Sequence, residues 1–565
     1  MLKENTHGCM FARSTTEFDK GSENKILCIV DGAKAGLERR ILLVSKDFFN
    51  SRQEPDLDGS KKIEGLTGLA SVKKYIVAAV KSAGTDEMAL FVSDDGDKWD
   101  RAEFPSDHGG LKQDGYTILE STTYGIQVDV LTTTDKNAMG SLFTSNSNGT
   151  YFTRNIDHTN RNGYGNVDFE QVAGIDGIVL VNIVDNAEEL LKGHGNQNIE
   201  KKIKSKISFD GGRSFKDMKA GDDTLHVHSV TEARNGGRVF SSPAPGILMA
   251  VGNTGKFLGK YSDAETYVSD DAGLTWKKTD LKGPHLYEFG DSGSILVAVA
   301  GEGRADKLHY SLNHGKNWDS VDLEAETRVL ALTTVPDSTS KKFTMIAQSK
   351  DAKGYIFSIN FDGVLDRKCK KDDDKDKSDF EKWYSRYGDD GKPSCLMGHK
   401  EFYWRRKKDA ECFVEAEYKD PKPEKEDCPC TDEDYECDFE FADKEKKGEC
   451  VLVGRLPDPS GSCQRTGDKF KGSSGYRLIP GNTCVRDKGV KKDEPIERDC
   501  KDGNKKGSMS KCYFYICSTR LTSDKQVPIL QRLERSKASS KLMMQAGFTS
   551  IITWSVKRAL KGMMK

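Results

Sequence analysis

The cysteines carry the clearest chemical signal in this 565-residue chain. Twelve of the 14 lie between residues 369 and 517. Thiols at this density form disulfides or bind metal. A zinc site needs paired CxxC-like motifs or cysteines with closely spaced histidines. Here Cys428 and Cys430 are one residue apart and the nearest histidine is His399. The spacing therefore favours disulfides, an oxidising compartment and no bound metal or cofactor.

Two further features could do chemistry outside the cysteine-rich region. His226 and His228 alternate on a predicted strand and would share one face of it. Because histidine titrates between about pH 5 and 8, we hypothesise a pH switch that releases a bound ligand in acid. The alternative is a surface or packed histidine pair. Asn148 opens the sequon Asn-Gly-Thr, which predicts N-glycosylation unless the match is accidental.

Short strands must position these residues. Apolar or alternating runs separated by Gly, Asp, Asn and Ser predict β-structure over residues 1–365. The clearest runs are residues 25–30, 40–44, 75–80, 88–92, 177–184, 295–300 and 328–333.

A repeated motif, Ser-x-Asp-x-Gly-x-Thr-Trp, recurs at intervals of about 40 to 65 residues. This spacing fits one four-stranded propeller blade per copy. Asp closes a turn, Gly adopts a positive φ, and the aromatic ring packs on the blade. This motif is the Asp box. Three good copies begin at Ser208, Ser269 and Ser311. Three degenerate copies are Asp94-Gly96-Lys98-Trp99 with Val92 in place of serine, Ser145-Ser147-Gly149-Phe152, and Ser45-Asp47-Phe49.

The composition excludes some functional classes and indicates where the organisation changes. The 87 basic and 89 acidic residues balance, so no net charge points to nucleic acid or to an anionic membrane. We divide the chain into a partial propeller at 1–365, a ten-cysteine module at 366–500 and a basic tail at 501–565. The tail is expected to be disordered or translated non-coding sequence, with a membrane-surface helix as the alternative.

The sequence shows neither a secretory signal nor an apolar run long enough to cross a membrane. Because disulfides need an oxidising compartment, we expect a fragment truncated at both ends or an incomplete gene model.

Asp-box blades leading directly into ten cysteines resemble the sortilin family, including the fungal vacuolar sorting receptors. The segments that carry this resemblance are residues 225–228 (LHVH), 283–287 (GPHLY), 355–369 (YIFSINFDGVLDRKC), 395–398 (CLMG), 428–430 (CPC), 437–439 (CDF) and 475–484 (GYRLIPGNTC). The resemblance covers about residues 8–500.

The resemblance implies a fold, a disulfide pattern and a function. The family propeller has ten blades, and this chain holds about six. The implied disulfides are Cys9–Cys28, Cys369–Cys412, Cys395–Cys428, Cys430–Cys484, Cys437–Cys450 and Cys463–Cys500, whereas Cys512 and Cys517 have no counterpart. The implied function is that of a lumenal, non-enzymatic receptor on the Golgi-to-endosome route. It would capture soluble vacuolar hydrolases such as carboxypeptidase Y, and the membrane would be reached only through a family transmembrane helix.

The family's best-known ligand site is matched only in part. Relatives hold a peptide carboxylate with an arginine, and this chain has Met88 at that position. A methionine cannot supply the charge and the paired hydrogen bonds that a guanidinium gives a carboxylate. The neighbouring Tyr116 and Thr117 are present and are the candidate ligand-binding residues, with blade packing as the alternative for Tyr116.

Two other functions compete with the receptor hypothesis. A sialidase-like propeller glycoside hydrolase also uses Asp boxes but needs an arginine cluster and a catalytic carboxylate pair. We find no motif around Arg154, Arg161, Arg213 or Arg234. A non-functional receptor fragment is the third reading.

Overall fold

The computed structural model describes residues 5–12, 24–32, 36–57, 64–81, 88–105, 115–119, 122, 124–133, 137–192, 199–235, 240–388, 390–395, 397–416, 422–443, 448–454, 456 and 468–500. The chain divides into two compact units. The first comprises Met1–Asp434 with Ile479–Val490, and the second comprises Tyr435–Leu478 with Lys491–Lys565. The first unit thus holds the Asp boxes together with part of the cysteine-rich region, and the predicted three-part organisation stays a prediction.

Antiparallel strands dominate the first unit, as the alternating apolar pattern predicts. Its first two sheets contain β1 (Thr6–Phe11), β2 (Ile26–Asp31) and β3 (Arg40–Ser45), then β4 (Leu66–Val72), β5 (Tyr75–Lys81), β6 (Met88–Ser93) and β7 (Asp100–Arg101). A longer sheet follows, with β8 (Tyr116–Ile118), β9 (Gln127–Leu131), β10 (Met139–Ser145), β11 (Phe152–Asn160), β12 (Phe169–Gln171), β13 (Val179–Val184), β14 (Ile203–Ser208), β15 (Lys216–Ala220), β16 (Asp223–Val227), β17 (Leu248–Thr254), β18 (Glu265–Ser269) and β19 (Lys277–Lys278).

Two more sheets complete the first unit. One runs in sequence order through β20 (His285–Gly290), β21 (Ile295–Ala300), β22 (Ala305–Ser311), β23 (Asp319–Thr333), β24 (Lys342–Gln348) and β25 (Gly354–Asn360). The other contains β26 (Phe380–Tyr384), β27 (His399–Arg406) and β28 (Glu424–Asp427).

The second unit consists of two-stranded ladders. They pair β29 (Tyr435–Cys437) with β33 (Tyr476–Leu478), β30 (Phe441–Ala442) with β31 (Val451–Leu452), and β32 (Lys469–Gly472) with β34 (Ile496–Asp499). With so little apolar core, short ladders depend on disulfides for stability.

Helix is scarce among the described residues. The α-helix α1 (Ala187–Lys192) has only six residues, and the 3₁₀ turns are Leu37–Arg39, Ala233–Asn235, Tyr261–Asp263, Asp291–Gly293, Asp432–Asp434 and Arg486–Lys488. In the part of the chain that the structure describes, no helix has the length and apolarity needed to cross a membrane. The predicted all-β class is therefore confirmed, while the number of blades stays a prediction.

Apolar side chains form several buried clusters. One such cluster centres on Trp276, which is 1% exposed, and includes Ile207, Met218 and Leu248. Another joins Phe289 with Leu296. Alternate residues of β17 enter different clusters, Leu248 and Ala250 in the first and Met249 and Val251 in the second, as the two-residue period of a strand requires.

Candidate functional site

The Asp-box turns join the strands of each sheet in a repeated way. In the complete copy after β18, the Ser269 hydroxyl donates to Asp271 Oδ1 at 2.8 Å and accepts the Gly273 N–H at 2.9 Å. Asp271 also accepts the Thr275 N–H at 2.9 Å, and the Trp276 indole donates to the Gly273 carbonyl at 3.1 Å. These hydrogen bonds close the turn and hold the aromatic ring against the core.

The box after β3, predicted as a remnant, has the hydrogen bonds of a complete copy. The Ser45 hydroxyl donates to Asp47 at 2.8 Å and accepts the Phe49 N–H at 2.8 Å. Asp47 accepts both the N–H and the hydroxyl of Ser51, and these bonds lower its pKa. Phe49 takes the glycine position with φ 62°, and Arg52 stands where Trp276 stands in the complete copy. The hydrogen bonds that close this turn therefore depend on Ser and Asp more than on Gly and Trp.

The structure corrects the predicted turn residues of two degenerate boxes. After β6 the opening serine is Ser93, not Val92, and the turn-closing residue is Asp95, not Asp94. Its Oδ1 accepts the Lys98 N–H at 2.8 Å. After β10 the turn is closed by the Asn146 side chain, which accepts the N–H of Thr150 at 3.0 Å. Ser147, which stands at the Asp position of the motif, does not close it. The first error arises because this turn is one residue shorter, which shifts an alignment anchored on Gly and Trp.

Box glycines also form contacts between successive repeats. A Cβ placed on Gly273 would lie 2.8 Å from Ile207 Cδ1, and one on Gly315 would lie 2.8 Å from Val268 Cγ2. Ile207 and Val268 each belong to the preceding repeat. The small residue therefore lets one turn approach the preceding repeat closely, beyond its role of adopting a positive φ.

Strand β27 ties the cysteine-rich region to two of these turns. Arg405 donates to the main-chain carbonyls of Asp270 at 2.7 Å and Pro245 at 3.1 Å, and Arg406 donates to that of Leu312 at 2.5 Å. Both arginines are more than 90% buried. Sequence reasoning missed this joint because the partners are 94 to 160 residues away along the chain.

A buried carboxylate strengthens the same joint. Asp291, 1% exposed, accepts the backbone N–H groups of Val414 at 2.7 Å and Glu415 at 2.8 Å, and the hydroxyl of Ser294. Burial raises the pKa of Asp291. The joint is thus built from buried, hydrogen-bonded charges whose removal leaves unpaired groups inside.

The candidate ligand residues Tyr116 and Thr117 lie on β8 and are partly buried. The Thr117 hydroxyl donates to the Gly165 carbonyl at 2.9 Å and accepts from Arg161 Nη2 at 3.2 Å. Arg161, 3% exposed, is paired with the fully buried Asp129 at 2.6 Å. Burial raises the pKa of Asp129 to about 6, against the opposing effect of Arg161. Thr117 therefore belongs to a buried ion-pair network.

Tyr116 packs against other aromatic side chains, as a residue in the core of a blade does. Its ring centroid lies 5.8 Å from that of Phe104, and both rings pack against the cluster containing Phe143 and Phe152. Met88 begins β6, on the neighbouring sheet. The backbone pairs Met88 with Lys81 at the end of the β5–β6 ladder.

The two histidines of the pH-switch hypothesis are both buried, at 0% and 8% exposed. His226 Nδ1 accepts the Ser205 N–H at 3.0 Å, so Nε2 carries the proton and faces the Gly255 carbonyl at 3.1 Å. Burial lowers the pKa of His226. His228 lies one residue beyond β16, with its ring 5.2 Å from that of Tyr261. Both histidines are therefore packed inside the protein, which agrees with the packed-pair alternative to the pH switch.

The sequon residue Asn148 is exposed at the tip of the turn between β10 and β11. Gly149 follows with φ 80°, and the Thr150 N–H is held by Asn146. An exposed asparagine in a tight turn is sterically open to modification, and glycosylation at Asn148 stays a prediction.

Five of the six expected disulfides are present. They are Cys9–Cys28, Cys369–Cys412, Cys395–Cys428, Cys430–Cys484 and Cys437–Cys450. The sixth, Cys463–Cys500, involves Cys463, which lies outside the described residues, as do Cys512, Cys517 and the basic tail.

Comparisons with known proteins agree with this arrangement. The family model described as "Sortilin, neurotensin receptor 3" matches residues 1–332, and its C-terminal counterpart matches residues 334–500. Vacuolar protein sorting/targeting protein 10 of Pyricularia oryzae is 50% identical over 519 residues, and that of Paracoccidioides brasiliensis (strain Pb18) is 51% identical over 516 residues. These matches cover 89% of this chain, but 33% and 34% of the two relatives.

Two solved structures are distantly similar to this chain. The β-propeller domain of the Trilobed protease from Pyrococcus furiosus aligns over 60% of this chain and 92% of its own, with 10% identity and a TM-score of 0.27. A GH74 xyloglucanase from Xanthomonas campestris aligns over 57% and 49%, with 16% identity and a TM-score of 0.23. The two family models together span almost all of the described residues, and the chain belongs to the sortilin–Vps10 family.

Proposed function

We propose that this chain is the cargo-binding, lumenal part of a vacuolar sorting receptor that captures soluble hydrolases such as carboxypeptidase Y in the late Golgi. The complex would then travel to the prevacuolar endosome. The observation that carries the proposal is the 50% identity over 519 residues to a vacuolar protein sorting/targeting protein. The chain spans about a third of the length of these relatives, so the activity of the whole protein is part of the proposal.

The buried joint around β27 supports a binding role. Arg405 and Arg406 hold the cysteine-rich region against two Asp-box turns through main-chain carbonyls. A surface that presents protein cargo benefits from such pre-organisation, since less conformational entropy is lost on binding.

The glycoside hydrolase alternative lacks support among the described residues. Each of the four candidate arginines has a different partner: Arg161 pairs with Asp129, Arg234 with Glu232 and Glu302, Arg154 with Asp157, and Arg213 donates to the carbonyl of Gly211. A substrate carboxylate needs several arginines converging on one point. A receptor is therefore the better proposal.

The pH-switch hypothesis can be carried by His226. Protonation of Nδ1 would break its bond with the Ser205 N–H, and because burial lowers the pKa of His226, this step needs a pH below the ordinary histidine pKa of about 6.5. Lys204 opposes protonation of the ring, whereas Asp217 favours it. We predict that replacing His226 and His228 with Gln weakens the pH dependence of cargo binding. An unchanged ratio of dissociation constants at pH 7 and pH 5 would remove the proposal.

The experiment is a binding titration of the purified, oxidised chain against immobilised carboxypeptidase Y. We expect saturable binding that is lost when the disulfides are reduced and alkylated. A secreted protein of similar size and charge serves as the negative control. Equal signals on the hydrolase and on this control would refute cargo capture by the chain.

A further inference from the structure

A cavity of about 140 Å³ lies between the last two Asp-box turns and the end of β27. Its lining contains four lysine side chains together with threonines from the first turn. The lining residues that matter here are Lys277, Lys278, Lys316, Lys408, His314, Asp270 and Asp280. All of them belong to the first compact unit.

The lysines of this cavity differ in how they are neutralised. Lys278 pairs with Glu265 at 2.6 Å, and Lys316 pairs with Asp409 at 3.3 Å. Within the described part of the chain, Lys277 and Lys408 form no ion pair. Two ammonium groups at the cavity are therefore left without an acidic partner.

His314 gives a second, independent indication of a ligand. It is 4% exposed, lines the cavity, and its Nδ1 has no hydrogen-bond partner among the described residues. Its φ of 57° places it in the strained position of the Asp box before Gly315. Burial and the nearby Arg405, Arg406 and Lys408 lower the pKa of His314 to about 2, which keeps the ring neutral. A neutral imidazole can donate one N–H to an acceptor.

The mixed charge of the lining discriminates between anions. Asp270 and Asp280 also line the cavity and form no ion pair in the described structure. They would repel a phosphate dianion, whereas a peptide offers a singly charged carboxylate to the lysines and amide N–H groups to the aspartates. The cavity is also larger than one anion head group requires.

We propose that this cavity binds the carboxylate of an acidic side chain in a protein segment, through Lys277, Lys408 and His314. The proposal rests on the proposed function in that the segment would belong to cargo. A free peptide is therefore used as the probe, so that failure here and failure of hydrolase binding remain separate results.

The test is a fluorescence-polarisation titration of the full, oxidised chain with a fluorescein-labelled hexapeptide. The peptide contains two glutamates and has an amidated C-terminus. We expect saturable binding that weakens at high salt, because exposed charges are screened. The double variant Lys277→Ala/Lys408→Ala should weaken binding at least tenfold. His314→Gly should weaken it about threefold or more, while retaining a residue that adopts the positive φ.

Matched controls separate the cavity from general charge. The double variant Lys350→Ala/Lys353→Ala removes two exposed lysines of the β24–β25 turn and should change the dissociation constant by less than twofold. A peptide with glutamines in place of glutamates should not bind. Equal urea midpoints of the cavity variant and the wild type would show that the fold is intact.

Three results would overturn the proposal. One is unchanged peptide binding in Lys277→Ala/Lys408→Ala, and another is equal binding of the glutamine peptide. The third is cavity-dependent binding of inorganic phosphate or a phosphoserine peptide without binding of the glutamate peptide, which would assign the cavity to phosphate instead.

Discussion

Replacing Gly273 with alanine tests whether Asp-box glycines are required by packing between successive repeats as well as by backbone conformation. Gly273 has φ 87°, and an added Cβ would lie 2.8 Å from Ile207 Cδ1 and 3.3 Å from Leu248 Cδ1. A non-glycine residue in the left-handed region costs about 1–2 kcal/mol. Overpacking a core costs about 1–3 kcal/mol more. The reduced entropy of the unfolded chain offsets about 0.4–1 kcal/mol of this.

The matched control is Gly283→Ala. Gly283 has φ 83°, and an added Cβ would meet nothing within 4 Å. The conformational cost is therefore shared by both variants, and the difference between them isolates the packing cost. We expect Gly273→Ala to lose about 1–3 kcal/mol more unfolding free energy than Gly283→Ala.

Urea unfolding of the oxidised chain, followed by tryptophan fluorescence, measures this difference. Trp276 is 1% exposed and lies beside the altered turn, so its emission reports on the local core. Equal losses in the two variants, within about 0.5 kcal/mol, would refute the inference that this glycine is needed for the close approach of successive repeats.

Three further predictions follow from the joint and the disulfides. Asp291→Asn should cost about 1–3 kcal/mol, because the amide cannot accept both buried N–H groups, and an unchanged urea midpoint would contradict this. Because the folded pKa of His314 lies below its unfolded value, the free energy of unfolding should fall by up to about 1.4 kcal/mol per pH unit below 6.5. His314→Gly should show a shallower slope in urea titrations from pH 7 to 4.5, and parallel slopes would argue against it. Replacing Cys430 and Cys484 with serine should cost about 4 kcal/mol, since the bond closes a loop spanning 54 residues, and a thermal midpoint equal to wild type would count against this estimate.

The local apolar pattern predicted the strands well. Residues 75–80 and 295–300 are unbroken apolar runs of strand length, and β5 and β21 follow them closely. The motif predicted the turns less completely. The box that opens at Ser45 looks degenerate in the sequence, with Phe49 and Arg52 in place of the Gly and Trp. The Ser–Asp hydrogen bond that closes its turn is nevertheless intact.

The remaining contacts depend on tertiary structure. Thr117 meets Arg161, 44 residues away, so its engagement could not be read from its neighbours. Arg405 and Arg406 have no motif of their own, and the carbonyls that they bind carry no sequence signal. His314 was open to prediction, because a histidine before the box glycine must occupy a strained left-handed position, which is uncommon outside special sites.

Vacuolar sorting in a living fungus tests the central claim most directly. Because the chain is 50% identical to the Pyricularia oryzae protein over 519 residues, it can replace the aligned segment of that relative. The chimera is expressed in a strain lacking the relative, and the secreted fraction of carboxypeptidase Y is measured. We predict secretion close to that of the parent strain. Secretion equal to that of the deletion strain, with the chimera present in the Golgi at normal levels, would contradict the account.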